Sequence, residues 1–95
     1  MLTTVDILDV MKERLGSDYK TAKLLDIHPN RITHLRNKGG TLTDANAIKI
    51  AAFLGVPVES IILNMVAERS RNSPAFDVLE RIAEQHTPKT WAAAS

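Results

Sequence analysis

Glycine and proline cut this chain into short pieces. Gly16, the pair Gly39 and Gly40, and Gly55 stand where apolar runs end, and Pro29, Pro57 and Pro74 stand where new ones begin. Glycine favours the position just past a helix and proline its first turn, so their order reads as a series of helix stops and starts. Between them apolar residues recur at three- and four-residue steps, and strand-like alternation of β-branched residues is nowhere sustained. The chain is therefore expected to be all-α. Helices this short are marginal alone and have to be held by packing against one another.

Thr3 or Thr4 can cap a first helix to about Leu15, with Val5, Leu8, Met11 and Leu15 as its apolar stripe and Ile7 and Val10 widening it. A second helix runs from Asp18 to Leu25 with Ala22 and Leu25 inward, and Asp26, Ile27 and His28 break it. Pro29 opens a third helix to about Arg36, buried along Ile32 and Leu35. Thr43 caps a fourth, whose apolar face reads Ala47, Ile48, Ala51 and Leu54. After Pro57 a fifth helix carries Ile61, Ile62, Met65 and Val66 and fades into the polar stretch Glu68 to Asn72, read as a linker. Ser73 and Pro74 form a cap-then-first-turn pair for a sixth helix with Phe76, Leu79, Ile82 and Ala83 on one side. The tail from Thr87, with Pro88, is expected to be loose. The division is thus residues 1–68 and residues 69–95.

Twelve Lys and Arg against eleven Asp and Glu leave a formal charge of +1, which by itself announces no polyanionic partner. The chain has no cysteine, which removes disulfides, Cys-ligated zinc and thiol chemistry together. No apolar run approaches the roughly 18 to 20 residues needed to span a bilayer, and the start lacks the basic-then-apolar order of a secretion signal. A cytoplasmic protein without membrane contact is the expectation. His28 and His34 fall on opposite sides of a helix start and His86 is distant, so no metal site is expected. No glycine-rich phosphate cradle or Ser–His–acid grouping stands out, so neither a cofactor nor an enzyme is expected.

The informative segment runs from Ser17 to Gly40. It holds Lys20, Lys23, Arg31, Arg36 and Lys38 against Asp18 and Asp26, five minus two, so +3 here and −2 over the other 71 residues. Two short helices joined by a turn of about three residues make a helix-turn-helix pattern. Ala22, Ile27, Ile32 and Leu35 take the structural positions. That leaves Asn30, Arg31, Thr33, His34 and Arg36 on the outward side of the second helix. Cations clustered on the segment that enters a groove are the footprint of a phosphate-binding surface.

These residues resemble the Cro and lambda-repressor-like (Xre-type) helix-turn-helix family. The resemblance lies in Ala22, Leu25 and Ile27, in Ile32-Thr33-His34-Leu35-Arg36-Asn37, and in Ala47 through Gly55-Val56-Pro57 to Ile62, and it covers about two thirds of the chain. It departs from the family at Asp26, where glycine is usual, at Asp18, where glutamine often contacts a phosphate, and at Pro29, where an amide often reads the first base. An extra residue before Gly39 also alters the loop after the third helix.

The resemblance implies a five-helix lambda-repressor-like bundle with an additional C-terminal helix, and a dimeric regulator of double-stranded DNA such as a phage or prophage repressor or Cro-like protein. By major-groove chemistry Arg31 suits guanine, Asn30 adenine, Thr33 a thymine methyl, and His34 can donate or accept. Ser17, Lys20, Arg36, Lys38, Thr41 and Thr43 are the expected backbone contacts. Phe76, Leu79, Ile82, Ala83 and Trp91 are the expected homodimer surface. A different reading makes the scaffold a protein-interaction module, such as an antitoxin whose C-terminal helix binds a partner protein. A third is excisionase-like architectural DNA binding.

Overall fold

The computed structural model describes residues 1–89 and 91 of the chain. Among these residues are six helices and no strand: α1 (Thr4–Leu15), α2 (Asp18–Leu25), α3 (Pro29–Asn37), α4 (Asp44–Leu54), α5 (Val58–Arg69) and α6 (Phe76–Gln85). None of them is long and apolar enough to cross a membrane.

Local chemistry sets most of these boundaries. At α1 the Thr3 hydroxyl accepts from the Asp6 N–H while the Asp6 carboxylate accepts from the Thr3 N–H, a reciprocal cap. Ser17 accepts from the Lys20 N–H to start α2, and Thr43 accepts from the Asn46 N–H to start α4. Gly16 closes α1 in the left-handed region. Asp26 closes α2 there too, at φ 57°, where a short polar side chain is tolerated. The turn is completed by the Ile27 N–H donating back to the Ala22 carbonyl.

The core gathers Ile7, Leu8 and Met11 of α1, Leu25, Ile32 and Leu35 of α2 and α3, Ile50 and Leu54 of α4, and Ile61 and Met65 of α5. Two positions differ from the expected stripes. Val5 is 36% exposed, so the buried line of α1 is centred on Ile7, Leu8 and Met11. On α4 Ile48 is 52% exposed and Ile50 is fully buried. Ala47, Ile50, Ala51 and Leu54 follow the i, i+3, i+4, i+7 spacing of one helix face, which Ile48 leaves. Leu42, in the loop between α3 and α4, is also fully buried.

The stretch read as a linker is partly helix. α5 continues through Glu68 and Arg69, and both make tertiary bonds: the Glu68 carboxylate accepts from the N–H and the hydroxyl of Thr4 at 2.9 and 2.6 Å. α6 starts at Phe76 rather than at Pro74, because the Ser73 hydroxyl accepts from the Ala75 N–H in a turn that precedes the helix. α6 packs against α5, with Ala83 fully enclosed and Phe76, Leu79 and Ile82 half-buried.

Asn64 of α5 joins three parts of the chain. Fully buried, it accepts from the Leu2 N–H at 2.7 Å and donates to the Ser60 carbonyl and to the Thr87 hydroxyl. Thr87 in turn donates to the Ala83 carbonyl at 2.7 Å. The first residue of the tail expected to be loose is therefore fastened, and Trp91 packs against the core. Residue 90 and residues 92–95 of that tail lie outside the described residues. Removing the Asn64 amide would leave the part-buried Leu2 N–H without its acceptor and the Thr87 hydroxyl without its donor. Asn64→Ala is expected to cost about 2 to 3 kcal/mol in urea denaturation and Thr87→Val about 1 kcal/mol.

Candidate nucleic-acid interface

The α2–α3 pair is assembled from positions with distinct tasks. Ala22, 1% exposed, keeps α2 slim where it meets its neighbours, and half-buried Ile27 packs from the turn onto the core. Pro29 supplies the first turn of α3, and the residue before it is the cap: His28 Nδ1 accepts from the Asn30 N–H at 3.0 Å. Ile32 and Leu35, 1% and 2% exposed, fix which side of α3 faces the core. Asn30, Arg31, Thr33 and His34 are all exposed. Their side chains make no hydrogen bond or ion pair among the described residues.

Arg36 departs from the expectation that it contacts DNA. Its Nε and Nη2 donate to the two carboxylate oxygens of Asp18 at 2.8 and 2.9 Å, and its Nη1 donates to Asp9 at 2.6 Å. Its side chain is 21% exposed. The hydrogen bonds to Asp18 raise its pKa above the ordinary arginine value against the opposing effect of burial, and Asp9 adds to the rise. A guanidinium held by a fork of this kind on one carboxylate and a second bond on another is committed to structure. Asp18 is the other half of that assignment. An acid in the first turn of α2 complements the helix dipole and anchors Arg36, tasks that a glutamine there could not perform equally.

Arg69 holds the loop after α3 in a comparable way. Its Nε donates to the Thr41 hydroxyl at 2.8 Å, its Nη2 to the Leu42 carbonyl at 2.6 Å, and it faces Asp44 at 3.3 Å. With Leu42 buried beneath, the loop is pinned at its middle. Gly39 and Gly40 both sit at positive φ, 90° and 96°, a conformation that disfavours any side chain and explains the paired glycines. Thr41 is thus occupied as an acceptor.

Ser17 and Thr43 accept from backbone N–H groups as caps, which leaves each hydroxyl hydrogen free to donate outward. Lys20 and Lys38 are exposed, as is Lys23. Setting aside the mutually paired Arg36 and Asp18, the segment Ser17–Gly40 keeps Lys20, Lys23, Arg31 and Lys38 against Asp26, four minus one, still +3. Its positive charge is therefore carried by solvent-facing groups.

The expected homodimer residues differ in how far their own chain covers them. Ala83 is wholly enclosed within its own chain and presents nothing to a second one. Trp91 packs on the core, and Phe76, Leu79 and Ile82 lie half-buried on the helix that packs against α5. Two residues with no expected role, His28 and Arg69, cap α3 and anchor the loop after it. The rule that a proline in the first turn follows the cap could have found His28, whereas Arg69 carries no local signal because its partners lie 25 to 28 residues away. No group of three or more potential metal ligands occurs among the described residues. No protein-family model, curated protein or solved structure matches the chain.

Two measurements check the local assignments. Asp18→Asn should lower stability by about 1 to 2 kcal/mol and Asp9→Asn, whose carboxylate is 61% exposed, by only a few tenths, with a double-mutant cycle against Arg36→Met assigning the difference to the pair. His28→Ala should cost about 1 kcal/mol and His28→Asn much less, because asparagine also caps.

Proposed function

We propose that this chain is a sequence-specific DNA-binding transcriptional regulator, with α2 and α3 acting as a helix-turn-helix of the Cro and lambda-repressor-like kind. The observation that carries the reading is the division of labour on α3. Ile32, Leu35 and Arg36 hold the helix, while Asn30, Arg31, Thr33 and His34 project unengaged from its opposite side. A row of donors and mixed donor-acceptors on a rigidly held helix suits a major groove, where each base pair shows a distinct pattern.

In this reading Arg31 pairs with guanine, Asn30 with adenine, Thr33 meets a thymine methyl, and His34 bonds according to the base opposite it. Lys20 and Lys38, with the Ser17 and Thr43 hydroxyls, hold phosphates on either side and set register without reading sequence. Two copies would place their α3 helices about 34 to 36 Å apart on a near-palindromic site. A phage or prophage repressor or Cro-like switch is the biological role that suits a small domain of this kind. The partner-protein reading through α6 has less support because that helix packs along α5, with Ala83 enclosed and Phe76, Leu79 and Ile82 half-buried.

Selection of bound duplexes from a random pool at two salt concentrations tests the reading, with a two-fold consensus expected and no enrichment as the contrary result. On the selected site, Arg31→Ala should lose about 1 to 3 kcal/mol of discrimination at one base pair. Lys38→Ala should weaken all sequences alike and reduce the salt slope by about one. Equal weakening on every sequence by Arg31→Ala would remove it from base reading.

A further inference from the structure

A cavity of about 560 Å³ opens between the start of α1, the loop after α3 and the turn after α5. Sites for small molecules usually measure roughly 300 to 1,000 Å³. Its wall includes Val5, Leu35, Gly39, Gly40, Glu68 and Arg71. A Cβ placed on Gly39 would meet nothing within 4 Å, so the loop side of the space stands open.

Arg36 and Arg69 also border the cavity, but both are answered within the chain, Arg36 by Asp18 and Asp9 and Arg69 by Thr41, the Leu42 carbonyl and Asp44. What remains open is one charge of each sign. The Arg71 side chain makes no hydrogen bond or ion pair among the described residues. Glu68 Oε1 takes both bonds from Thr4, whereas Oε2 takes none among those residues. The two stand in one turn, where the Arg71 N–H donates to the Glu68 carbonyl at 3.3 Å, yet no ion pair joins their side chains. The Gly39 and Gly40 N–H groups also lack an acceptor among the described residues.

These charges select the class of ligand. A phosphate, free or in DNA, would face the Glu68 carboxylate, and a simple cation would face the Arg71 guanidinium. A small molecule with both charges close together answers both, and the zwitterion of a free α-amino acid is such a molecule. Its carboxylate suits a planar guanidinium and backbone N–H donors, and its ammonium suits a carboxylate oxygen. Val5, 36% exposed, offers an apolar surface to the side chain of the ligand.

We propose that this cavity binds the zwitterion of a free apolar α-amino acid, with Arg71 and the glycine N–H groups on its carboxylate and Glu68 on its ammonium. The site goes beyond the DNA-binding reading and does not rest on it.

The chain has four glycines, whose amide signals report on the site. Titrating the full chain with L-leucine and with L-phenylalanine to about 20 mM should shift the Gly39 and Gly40 amides saturably for at least one of them. Gly16 and Gly55, which end α1 and α4 at the far side of those helices from the cavity, should stay in place. 4-Methylpentanoate, which is leucine without its ammonium, and isoamylamine, which is leucine without its carboxylate, should bind at least about tenfold more weakly than L-leucine. Arg71→Ala should weaken the amino acid to a similar extent, and Arg81→Ala, exposed on α6 and outside the cavity wall, should not. Saturable shifts from neither amino acid, 4-methylpentanoate binding as tightly as L-leucine (an adventitious ion only), or unaltered binding by Arg71→Ala would overturn the proposal. On a selected duplex, Arg71→Ala should bind within about twofold of wild type; uniform weakening like that of Lys38→Ala would assign Arg71 to a phosphate and overturn the site as well. Absence of binding to any duplex would count against the DNA-binding reading alone, with the amino-acid titrations still deciding the cavity.

Discussion

The aim of α3 depends on one guanidinium. Arg36 sits near the end of that helix and is gripped by a carboxylate from α2 and another from α1. Apolar contacts through Ile32 and Leu35 say which side of α3 faces inward, but apolar packing is weakly directional and permits small rotations and slides. The planar fork on Asp18 adds direction, since both bonds are kept only in one relative orientation of the helices. Everything that projects from the other side of α3 inherits that orientation.

The same pairing alters the meaning of the chain's near-neutral charge. Summed over all residues, +1 looks indifferent to nucleic acid. The one acid of α2, Asp18, is used internally on Arg36, so the charged residues that are exposed on α2 and α3, Lys20, Lys23 and Arg31, are all cationic. In the DNA-binding reading proposed above, phosphate attraction from a few lysines is modest, which places more of the discrimination on the four side chains of α3.

Helix ends were legible in the sequence because their causes are local. Thr3, Ser17 and Thr43 cap within three residues, Gly16 and Gly55 stop the helices they follow, and Pro29 begins one. The candidate base-reading residues were legible for a related reason: once Ile32 and Leu35 are assigned inward, helical spacing turns Asn30, Arg31, Thr33 and His34 outward. Interactions across the chain were not legible. Arg36 finds its partners 18 and 27 residues away, and no spacing rule distinguishes an arginine bound for a carboxylate from one bound for a phosphate. Ile48 was assigned inward because α4 is apolar around most of its circumference, so hydrophobicity alone could not choose between it and Ile50. Spacing along α6 could not foretell its packing on α5, because an apolar helix side reads alike whether its cover is its own chain or another molecule.

The joint between the first residues and α5 has a bearing on the order in which the fold forms. Leu2 meets Asn64 and Thr4 meets Glu68 across separations of 62 and 64 residues, whereas α2 with α3, α4 with α5 and α5 with α6 are neighbours along the chain. Closing a loop of that length costs about 1.5 kcal/mol more in chain entropy than closing one of ten residues. Local helix pairs can therefore form early, and seating the N-terminal segment on α5 is the late, topology-defining event. In reverse, Leu2 and Thr4 can part from α5 at that seam while α1 stays packed on α2 and α3 and Asp9 keeps its hold on Arg36.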